Sequence, residues 1–426
     1  MSIKKILSLL IVFSIFVCCL TACGGGNMKT SGESSQLIPA TKDEVTNKKP
    51  KIVDIDDDFK NSQLTFNIEM LKRIALREQN NNVVVSPLSV EIAMTMAGNG
   101  AVGNTKSEIQ SSINGNLPIE STNNYLYSYM SSLPKGDINK ISIANSIWAN
   151  KEYGNKIKEN FLVTLRNYYN AEAYSEVFNK ETEKKINNWV KENTNKMIEK
   201  IIDEISQDAT MYLINAISFD SKWDTQYENS DINENGLFTN YLGKQNKTTM
   251  MNSTEQEYIE TDNAVGFVKP YKNSEYEFVA ILPNEGIDIY SYIDSLDSEK
   301  LKDILNNRIQ TKVNATTPKF EYSYNISLNE TLKDMGIVDA FSSDTADFSN
   351  MYEEKSNVHI DKVLHKAFIS FDQEGTKAAA VTSIGIMDSA MAEEPPKIVS
   401  LERPFLYFIV DSENKVPIFA GIVSNV

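Results

Sequence analysis

The chain has 426 residues, of which 41% are hydrophobic, and a formal net charge of −16 at pH 7. This length and apolar content are enough for one large core or two modest ones. Because the net charge is strongly negative, we expect no binding of nucleic acid or of sulfated, heparin-like polysaccharide, and a solvated surface is the simplest role for the charge.

The N-terminus has the pattern of a secretory signal. Lys4 and Lys5 precede an uncharged run over residues 6–20, and small residues come just before Cys23. A membrane-spanning anchor is the alternative, but an apolar run of about fifteen residues is short for a span of about twenty. The sequence Leu-Thr-Ala-Cys at 20–23 resembles the lipobox of bacterial lipoproteins, which implies cleavage after residue 22 and a lipid on Cys23.

The next segment is poor in large apolar residues. Residues 24–58 contain three successive glycines and scattered Ser, Thr, Lys and Asp, which is typical of a flexible tether. We therefore predict a signal peptide over 1–22, a lipidated tether over 23–58 and one domain over 59–426. Cys18 and Cys19 leave with the signal, so the mature chain forms no internal disulfide. Two or more acyl chains on Cys23 would anchor it stably to a membrane.

The first third of the domain predicts mainly helices. Ser62 is the predicted cap of a helix whose apolar face continues from residue 64 to residue 75. Ser86 and Pro87 begin a second helix, because a Ser cap satisfies a free N–H donor and a Pro in the first turn removes one. Thr105 and Glu108 have the spacing of a capping box for a third helix.

The remainder of the domain predicts mainly strands. These cover residues 141–148, 211–219, 278–282, 312–320, 363–371, 405–410 and 417–423. The run 211–219 is apolar except for Asn215 and Ser218, which indicates a strand buried on both faces. Helices first and strands afterwards are typical of an α+β fold rather than of alternating βαβ units.

Several classes of enzyme site are excluded because their motifs are missing. The sequence has no H-E-x-x-H, G-x-S-x-G or G-x-x-x-x-G-K-[ST] motif and no cluster at metal-ligand spacing, so we predict no catalytic residue, no metal and no cofactor. A serine-hydrolase triad would need His359 or His365. His365 lies among apolar residues of a predicted strand, which favours a hydrogen-bonded core histidine over a catalytic base.

The stretch after the strand 363–371 keeps its alternation but loses side-chain size. Gly375 provides a flexible hinge. Small and then apolar residues follow it at every second position, and they are Thr376, Ala378, Ala380, Thr382, Ile384 and Ile386. This pattern is one face of a strand that lacks a sheet, so we predict a loop that is able to become a strand.

Seven short motifs occur in the order found in serpins. They are VSPLS at 85–89, NAISF with KW at 215–223, PKF at 318–320, LHKA at 364–367, EGTKAA at 374–379, RPF at 403–405 and PIFAG at 417–421. The chain therefore resembles the serpin family over essentially all of 59–426. The resemblance implies an α+β fold with three β-sheets, about eight to nine helices and an exposed reactive loop, about 373–403, that inserts into the central sheet.

In serpins the reactive loop acts as a suicide substrate. A protease cleaves the loop, is held as an acyl-enzyme, and is distorted when the loop inserts as a new strand. The resemblance assigns the hinge of this loop to Gly375, Thr376, Ala378, Ala379 and Ala380, where small side chains let insertion begin. Lys377 departs from the acidic residue that serpins often have there, but its side chain is expected to point outward.

The resemblance also gives roles to polar residues of the predicted core. Those that match the shutter, a hydrogen-bonded group at the point where the central strands separate, are Ser86, Ser89, Asn215 and His365. Trp223 matches the tryptophan at the site of loop entry. Plain core packing is the alternative for each of these residues.

The scissile bond follows from the family's spacing. The residue before it lies fourteen positions after the hinge glycine, which here gives Ser389, followed by Ala390. Alignment on the two prolines at 395–396 moves the cleavage towards Met391 or Ala392 instead.

The residues around this bond predict the class of protease. No Lys or Arg lies between Lys377 and Lys397, so trypsin-like targets are excluded. Elastase-like and subtilisin-like proteases, which take small or apolar residues, fit better. Chymotrypsin-like cleavage at Met387 or Met391 stays open.

The sequence thus predicts a monomeric inhibitor of extracellular serine proteases that is held on the bacterial cell surface by the lipid on Cys23 and needs no heparin-like activator. One alternative is a non-inhibitory serpin that acts as a binding module. Its usual mark, bulky or charged side chains at inward hinge positions, is missing here. The other alternative is an enzyme that uses His365, but no nucleophile motif accompanies it.

Overall fold

The computed structural model describes residues 36–37, 49–115, 117–134, 139–154, 156–352, 357–376 and 395–426. Its helices are α1 (Asp57–Arg77), α2 (Pro87–Gly100), α3 (Gly103–Asn114), α4 (Ile119–Ser132), α5 (Lys151–Gly154), α6 (Glu159–Tyr169), α7 (Lys180–Asn193), α8 (Ile289–Ser295), α9 (Ser298–Asn306) and α10 (Asn329–Asp334). Its strands are β1 (Val83–Val85), β2 (Lys140–Asn150), β3 (Glu172–Glu176), β4 (Met211–Lys222), β5 (Ile232–Thr239), β6 (Gln245–Glu260), β7 (Ala264–Pro270), β8 (Tyr276–Pro283), β9 (Ile309–Pro318), β10 (Phe320–Ser327), β11 (Lys362–Phe371), β12 (Gly375–Thr376), β13 (Lys397–Ser400), β14 (Phe405–Asp411) and β15 (Val416–Val423).

The strands form two hydrogen-bonded sheets. The central sheet has the order β10-β11-β4-β2-β3, and β12 pairs with the end of β4. The larger sheet has the order β1-β15-β14-β8-β7-β6-β9-β13, with β5 beside β6. The 16-residue strand β6 pairs with β5 near its start and with β7 near its end, so two of the three expected sheets are continuous through it. The predicted α+β fold is confirmed in this form.

Helix α2 explains how polar residues reach the core. All of its residues except Asn99 are buried, and it contacts β2 and β4 of the central sheet and β15 of the larger one. Its polar side chains Ser89, Glu91 and Thr95 are buried together with the apolar ones, so α2 lies inside the core and not on its surface. It begins at Pro87, after the predicted cap Ser86, whose hydroxyl accepts a hydrogen bond from the N–H of Ser89 (3.3 Å). The start of α2 therefore places two serines against the central strands.

Two predicted helix starts differ from the structure. Asp56 caps α1 by accepting from the N–H of Phe59 (2.9 Å), whereas Ser62 lies inside the helix and donates to the carbonyl of Phe59 (2.8 Å). Helix α3 begins after Val102, which makes no side-chain cap. The spacing identified residues that are able to cap a helix, but Asp56 takes this role in α1 and no side chain takes it at the start of α3.

The two side chains of the predicted capping box serve other segments. The hydroxyl of Thr105 accepts from the N–H of Asp347 (3.0 Å). The carboxylate of Glu108 accepts from the N–H groups of Val338 (2.8 Å) and Asp339 (2.7 Å). The pair therefore ties α3 to residues 338–347 instead of closing its own first turn.

The predicted strand 312–320 is two strands in different sheets. Strand β9 ends at Pro318, and β10 begins at Phe320 in the central sheet. Pro318 has no N–H to continue a ladder, and Lys319 instead donates its N–H to the carbonyl of Thr249 (2.8 Å). The chain changes sheets within this single residue.

The folded unit begins before the predicted boundary at residue 59. The N–H of Leu37 donates to the carbonyl of Ala173 (2.8 Å) at the β3 edge of the central sheet. The N–H groups of Lys51 and Val53 donate to side chains of α4, each at 2.9 Å. These parts of the predicted tether 23–58 therefore pack against the domain. Cys23 and the predicted signal 1–22 lie outside the described residues.

Candidate functional site

Two parallel neighbours, β4 and β11, lie at the centre of the six-stranded sheet. Their register runs from Lys362 opposite Tyr212 to Ala367 opposite Ile217. Beyond the last pair, β11 continues to Phe371 and β4 to Lys222 without pairing with each other. We call this strand pair the seam, and the end beyond Ala367 its open end.

A tight turn over residues 372–375, which we call the hinge turn, reverses the chain at the open end. The side-chain oxygen Oδ1 of Asp372 accepts from the N–H groups of Glu374 (2.9 Å) and Gly375 (3.2 Å), and the N–H of Asp372 donates to the carbonyl of Gly375 (3.1 Å). Aspartate favours such turns because its side chain bonds to nearby backbone. After the turn, β12 runs antiparallel to β4, with Gly375 opposite Lys222 and Thr376 opposite Ser221.

The first two predicted hinge residues are therefore paired with the sheet. A Cβ at Gly375 would overlap the carbonyl oxygen of Ser221, so the strand approach requires glycine at this position. Thr376 is buried, and its hydroxyl is 2.9 Å from the hydroxyl of Tyr271. This hydroxyl pair satisfies the polar end of both side chains in an aromatic environment.

Trp223, the predicted loop-entry residue, lies against the hinge. Its ring stacks on Tyr271 at 4.3 Å between centroids and lies 4.7 Å from Phe371. Its indole N–H donates to the carbonyl of Asp372 (2.9 Å), and its backbone N–H donates to the carbonyl of Glu374 (3.0 Å). The tryptophan therefore packs beneath the hinge turn and holds its backbone.

Residues just after Trp223 add further bonds to the hinge. The N–H of Tyr227 donates to the carbonyl of Gln373 (3.0 Å), and the side-chain amide of Gln226 donates to the carbonyl of Glu374 (3.1 Å). We call residues 223–227 the clamp. From the other side, the Lys319 ammonium donates to the side-chain oxygen of Gln373 (3.2 Å).

The four predicted shutter residues meet in the core. Ring nitrogen Nε2 of His365 accepts from the N–H of Ser86 (3.1 Å), and Nδ1 lies 2.5 Å from Oδ1 of Asn215. The amide of Asn215 donates to the carbonyl of Ser89 (2.7 Å) and to Oδ1 of Asn145 (2.6 Å), and the hydroxyl of Ser89 is close to the same nitrogen. His365 and Asn215 are also opposite each other in the seam. We call these five residues the polar network.

The polar network fixes the charge state of His365. Because the N–H of Ser86 donates to Nε2, the proton of the neutral ring lies on Nδ1, where it is donated to Asn215. Complete burial lowers the pKa of His365 to about 3. Both ring nitrogens are occupied and the ring reaches no solvent, so the geometry offers no support for a catalytic base.

Other predicted site residues lie outside the described part of the chain. They are the hinge residues Ala378, Ala379 and Ala380, the reactive-bond candidates Ser389, Ala390, Met391 and Ala392, and Cys23. Within the described ranges, no helix is long and apolar enough to cross a bilayer. In the same ranges, no three His, Cys, Asp or Glu side chains are placed to hold a metal ion.

Sequence reasoning missed three contributors to the site. Asp372 closes the hinge turn, and the spacing of Asp three residues before Gly375 is a turn signal that could have found it. Asn145 lies in the predicted strand 141–148, where polar residues at alternate positions are ordinary, so it did not stand out as Asn215 did in its apolar run. Tyr271 had no sequence signal, because only the fold brings it to Thr376.

Comparison with known proteins identifies the family. The family profile described as "Serpin (serine protease inhibitor)" matches residues 61–426. An uncharacterized serpin-like protein of Thermococcus kodakarensis, TK1782, is 30% identical over 404 residues, which cover 92% of this chain and 90% of that protein. Human Serpin B3 is 28% identical over 377 residues, which cover 82% and 95% of the two chains.

Solved structures agree with the profile. The thermophilic serpin tengpin in its native state superposes with a TM-score of 0.83 and 41% identity, covering 89% of this chain and 98% of that one. Human thyroxine-binding globulin, solved with thyroxine, shares the fold at a TM-score of 0.78 and 24% identity, covering 86% and 99%. Serpins are generally protease inhibitors rather than enzymes. This chain, with its hinge turn at the open end of a parallel seam, belongs to the serpin family.

Proposed function

We propose that this serpin inhibits serine proteases by inserting its cleaved reactive loop into the seam. The observation that supports this most is the position of β12, which already forms the first antiparallel pairs with β4 at the open end. A strand that continued from Thr376 between β4 and β11 would be antiparallel to both. It would satisfy the N–H and C=O groups on each side as the parallel pairs separate.

Insertion has a large driving force. A strand of about ten residues gains two ladders of hydrogen bonds, each bond contributing about 1 kcal/mol net. The gain is of order ten kcal/mol, comparable with the whole stability of an ordinary domain. The uninserted form is then held by a kinetic barrier rather than by equilibrium.

The proposed inhibition is a competition between two rates. The catalytic serine of the protease attacks the carbonyl carbon of Ser389, forms an ester with it and releases the peptide that begins at Ala390. Met391 and Ala392 are the alternative residues at this bond. If the loop inserts before water hydrolyses the ester, the protease is displaced with the loop and distorted. If hydrolysis comes first, the serpin is consumed as a substrate.

The polar network is the proposed shutter of this movement. Insertion has to separate His365 from Asn215, because the two residues face each other across the seam. Buried polar groups that lose a partner are costly. The network therefore favours the closed seam until the incoming strand supplies new partners.

We propose elastase-like, subtilisin-like or chymotrypsin-like targets, and no trypsin-like ones. The support is the sequence of residues 378–396, which contains no Lys or Arg. We also propose that the chain acts as a monomer at the outer surface of a bacterial membrane, anchored by a lipid on Cys23. The support is the signal-like segment that ends in the Leu-Thr-Ala-Cys motif.

A non-inhibitory binding module is the second candidate. The observation in its favour is a surface cleft of about 360 Å³ between the turn after β6 and helices α8 and α9. Ile259, Tyr292 and Ile304 line its apolar part, and Lys300 and Asp303 lie among its polar lining. This volume is within the range of small-molecule sites. In this case the reactive loop would be cleaved without trapping a protease.

One gel separates the two candidates. The soluble domain is mixed with a subtilisin-like, an elastase-like and a chymotrypsin-like enzyme. We expect a complex that resists SDS and a released peptide that begins near Ala390. Cleavage without a complex by all three enzymes would contradict the inhibitory function.

Substitution of Thr376 tests the insertion step. Thr376→Arg places a charge among buried rings and removes the bond to Tyr271, so we expect the variant to be cleaved as a substrate without complex formation. Thr376→Ser keeps the hydroxyl and is the matched control, with complexes as in the wild type. Unchanged inhibition by Thr376→Arg would mean that insertion is not the mechanism.

A further inference from the structure

A buried ion pair lies beneath the clamp. Lys269 of β7 and Glu255 of β6 are 2.9 Å apart, with side-chain exposures of only 2% and 7%. Removing two charges from water is costly, and their attraction offsets this cost only with good geometry and further hydrogen bonds. The position of the pair therefore needs an explanation beyond stability, since apolar residues of similar size would serve a core at least as well.

The other contacts of Lys269 give that explanation. Its ammonium donates to the carbonyl of Thr225 (3.2 Å) and lies 4.4 Å from the ring centroid of Tyr227 and 5.5 Å from that of Trp223. A cation attracts the face of an aromatic ring, and more strongly where water is excluded. One charged group thus contacts the first, third and fifth residues of the clamp.

These clamp residues are the ones that hold the hinge. The backbone N–H groups of Trp223 and Tyr227 donate to the carbonyls of Glu374 and Gln373, each at 3.0 Å. Glu255 contacts Lys269, Lys269 contacts the clamp, and the clamp bonds to the hinge turn. The ion pair has no direct contact with the hinge among the described bonds, so any effect it has on the loop is transmitted through the clamp.

We propose that Lys269, oriented by Glu255, is a positioning residue that holds the clamp in the geometry from which loop insertion begins. Without the ammonium, the two rings and the carbonyl of Thr225 lose a shared partner. The clamp amides then spend more time away from the hinge carbonyls, and extension of the strand from β12 into the seam slows. This inference rests on the proposed inhibitory function, but its first test does not.

The first test is hydrogen exchange at the backbone amides of Trp223 and Tyr227. The first variant is Lys269→Met, which keeps the length of the side chain. If it does not fold, the double variant Lys269→Met/Glu255→Gln replaces it, because this variant leaves no unpaired charge in the core. We expect about tenfold faster exchange at both amides. Wild-type exchange rates in a folded variant would overturn the proposal.

The matched control is a second lysine that pairs with a clamp residue. Lys272 pairs with Asp224 at 3.5 Å, but both side chains are 44% exposed. An exposed pair contributes little, so Lys272→Met should leave exchange at the two amides unchanged. Equal acceleration by Lys272→Met would also overturn the proposal, because it would show that any charge near the clamp has the same effect.

The second test uses inhibition by the full domain. The number of serpin molecules consumed per subtilisin-like enzyme inactivated should rise about twofold or more in Lys269→Met, because a small increase in the insertion barrier favours hydrolysis. A purely structural role would lower the unfolding temperature without changing this ratio, and that result would overturn the positioning role. If the wild type traps no protease, the proposed function fails while the exchange measurement still decides the role of Lys269.

Discussion

Glu91 is a buried carboxyl group with unusual electrostatics. It lies on α2 with no exposed surface, and among the described residues neither carboxyl oxygen has a hydrogen-bond partner. Burial raises the pKa of Glu91 to about 8, and the nearby polar side chain of Gln63 lowers this pKa by a smaller amount. The folded protein therefore keeps this proton to a higher pH than the unfolded chain does.

The first residue-scale prediction follows from that difference. Between pH 4.5, the ordinary value, and about 8, the unfolded chain releases the proton while the folded protein retains it, so stability falls as pH rises through this window. The loss at pH 7 is about 3 kcal/mol. Glu91→Gln should remove this part of the pH dependence and raise the unfolding temperature at pH 7 relative to the wild type.

Unfolding temperatures at pH 5 and pH 8, at one scan rate, measure this effect. The wild type should lose more stability between the two pH values than Glu91→Gln. Glu299→Gln, at an exposed position on α9, is the control and should behave as the wild type. An equal change in unfolding temperature between pH 5 and pH 8 in the wild type and in Glu91→Gln would show that the pKa of Glu91 is not raised in the fold.

Gly375 gives the second residue-scale prediction. Gly375→Ala places a methyl group against the carbonyl of Ser221, so β12 must leave β4. We expect faster hydrogen exchange at the amides of Trp223 and Tyr227 and fewer SDS-resistant complexes. Thr376→Ser, which adds no group at position 375 and keeps the hydroxyl that bonds to Tyr271, is the control. If β12 stayed paired with β4 in Gly375→Ala, the close contact between residue 375 and the carbonyl of Ser221 would not require glycine.

Residue placement could be predicted only where a chemical signal is local. Ser86 as the cap of α2 follows from its position before Pro87, and the polar break at Asn215 marks a buried network. Tyr271 bonds to Thr376, which is 105 residues away along the chain, and Lys269 bonds to Glu255, which is 14 residues away. Alternation alone does not show which strands become neighbours.

At the scale of elements, strands that are continuously apolar were predicted to within a residue, whereas short strands and a change of sheet were missed. The predicted run 405–410 corresponds to β14, and 417–423 to β15. Strand β13 was missed because it has only four residues and follows two prolines. The break between β9 and β10 was missed because Lys319 is one residue in a continuous run, and its bond to Thr249 is visible only in the fold.

The start of α1 carries an element-scale prediction. A chain that begins at residue 59 lacks Asp56, which caps α1 and accepts from the hydroxyl of Tyr125, and lacks the bonds of Lys51 and Val53 to α4. Loss of the cap alone costs about 1 kcal/mol. We expect this chain to unfold at a lower temperature than one that begins at residue 49.

Asp56→Ala in the longer chain separates the cap from the rest. It should reproduce part of the loss, since the backbone bonds of Lys51 and Val53 to α4 remain. Equal unfolding temperatures for the chains that begin at 49 and 59 would mean that the segment adds no stability to the domain.

At the scale of the whole molecule, the proposed insertion predicts a change in stability on cleavage. A protease that cuts within residues 377–394 frees the loop to enter the seam, and the added ladders contribute of order ten kcal/mol. Calorimetry before and after cleavage should show a higher unfolding temperature for the cut protein. An unchanged or lower temperature would favour the non-inhibitory binding module.

The register of the seam determines how the sheet would open. If β4 and β11 slid apart lengthwise, all six pairs would break together, whereas separation from the open end breaks them one after another. A peeling movement therefore has a series of small barriers, each followed by new bonds to the incoming strand. In the proposed insertion, the pairs would break in the order Ala367–Ile217, Lys366–Ala216 and His365–Asn215. The polar network would then open at the third of these steps, after the incoming strand has paired with β4 along residues 220–216.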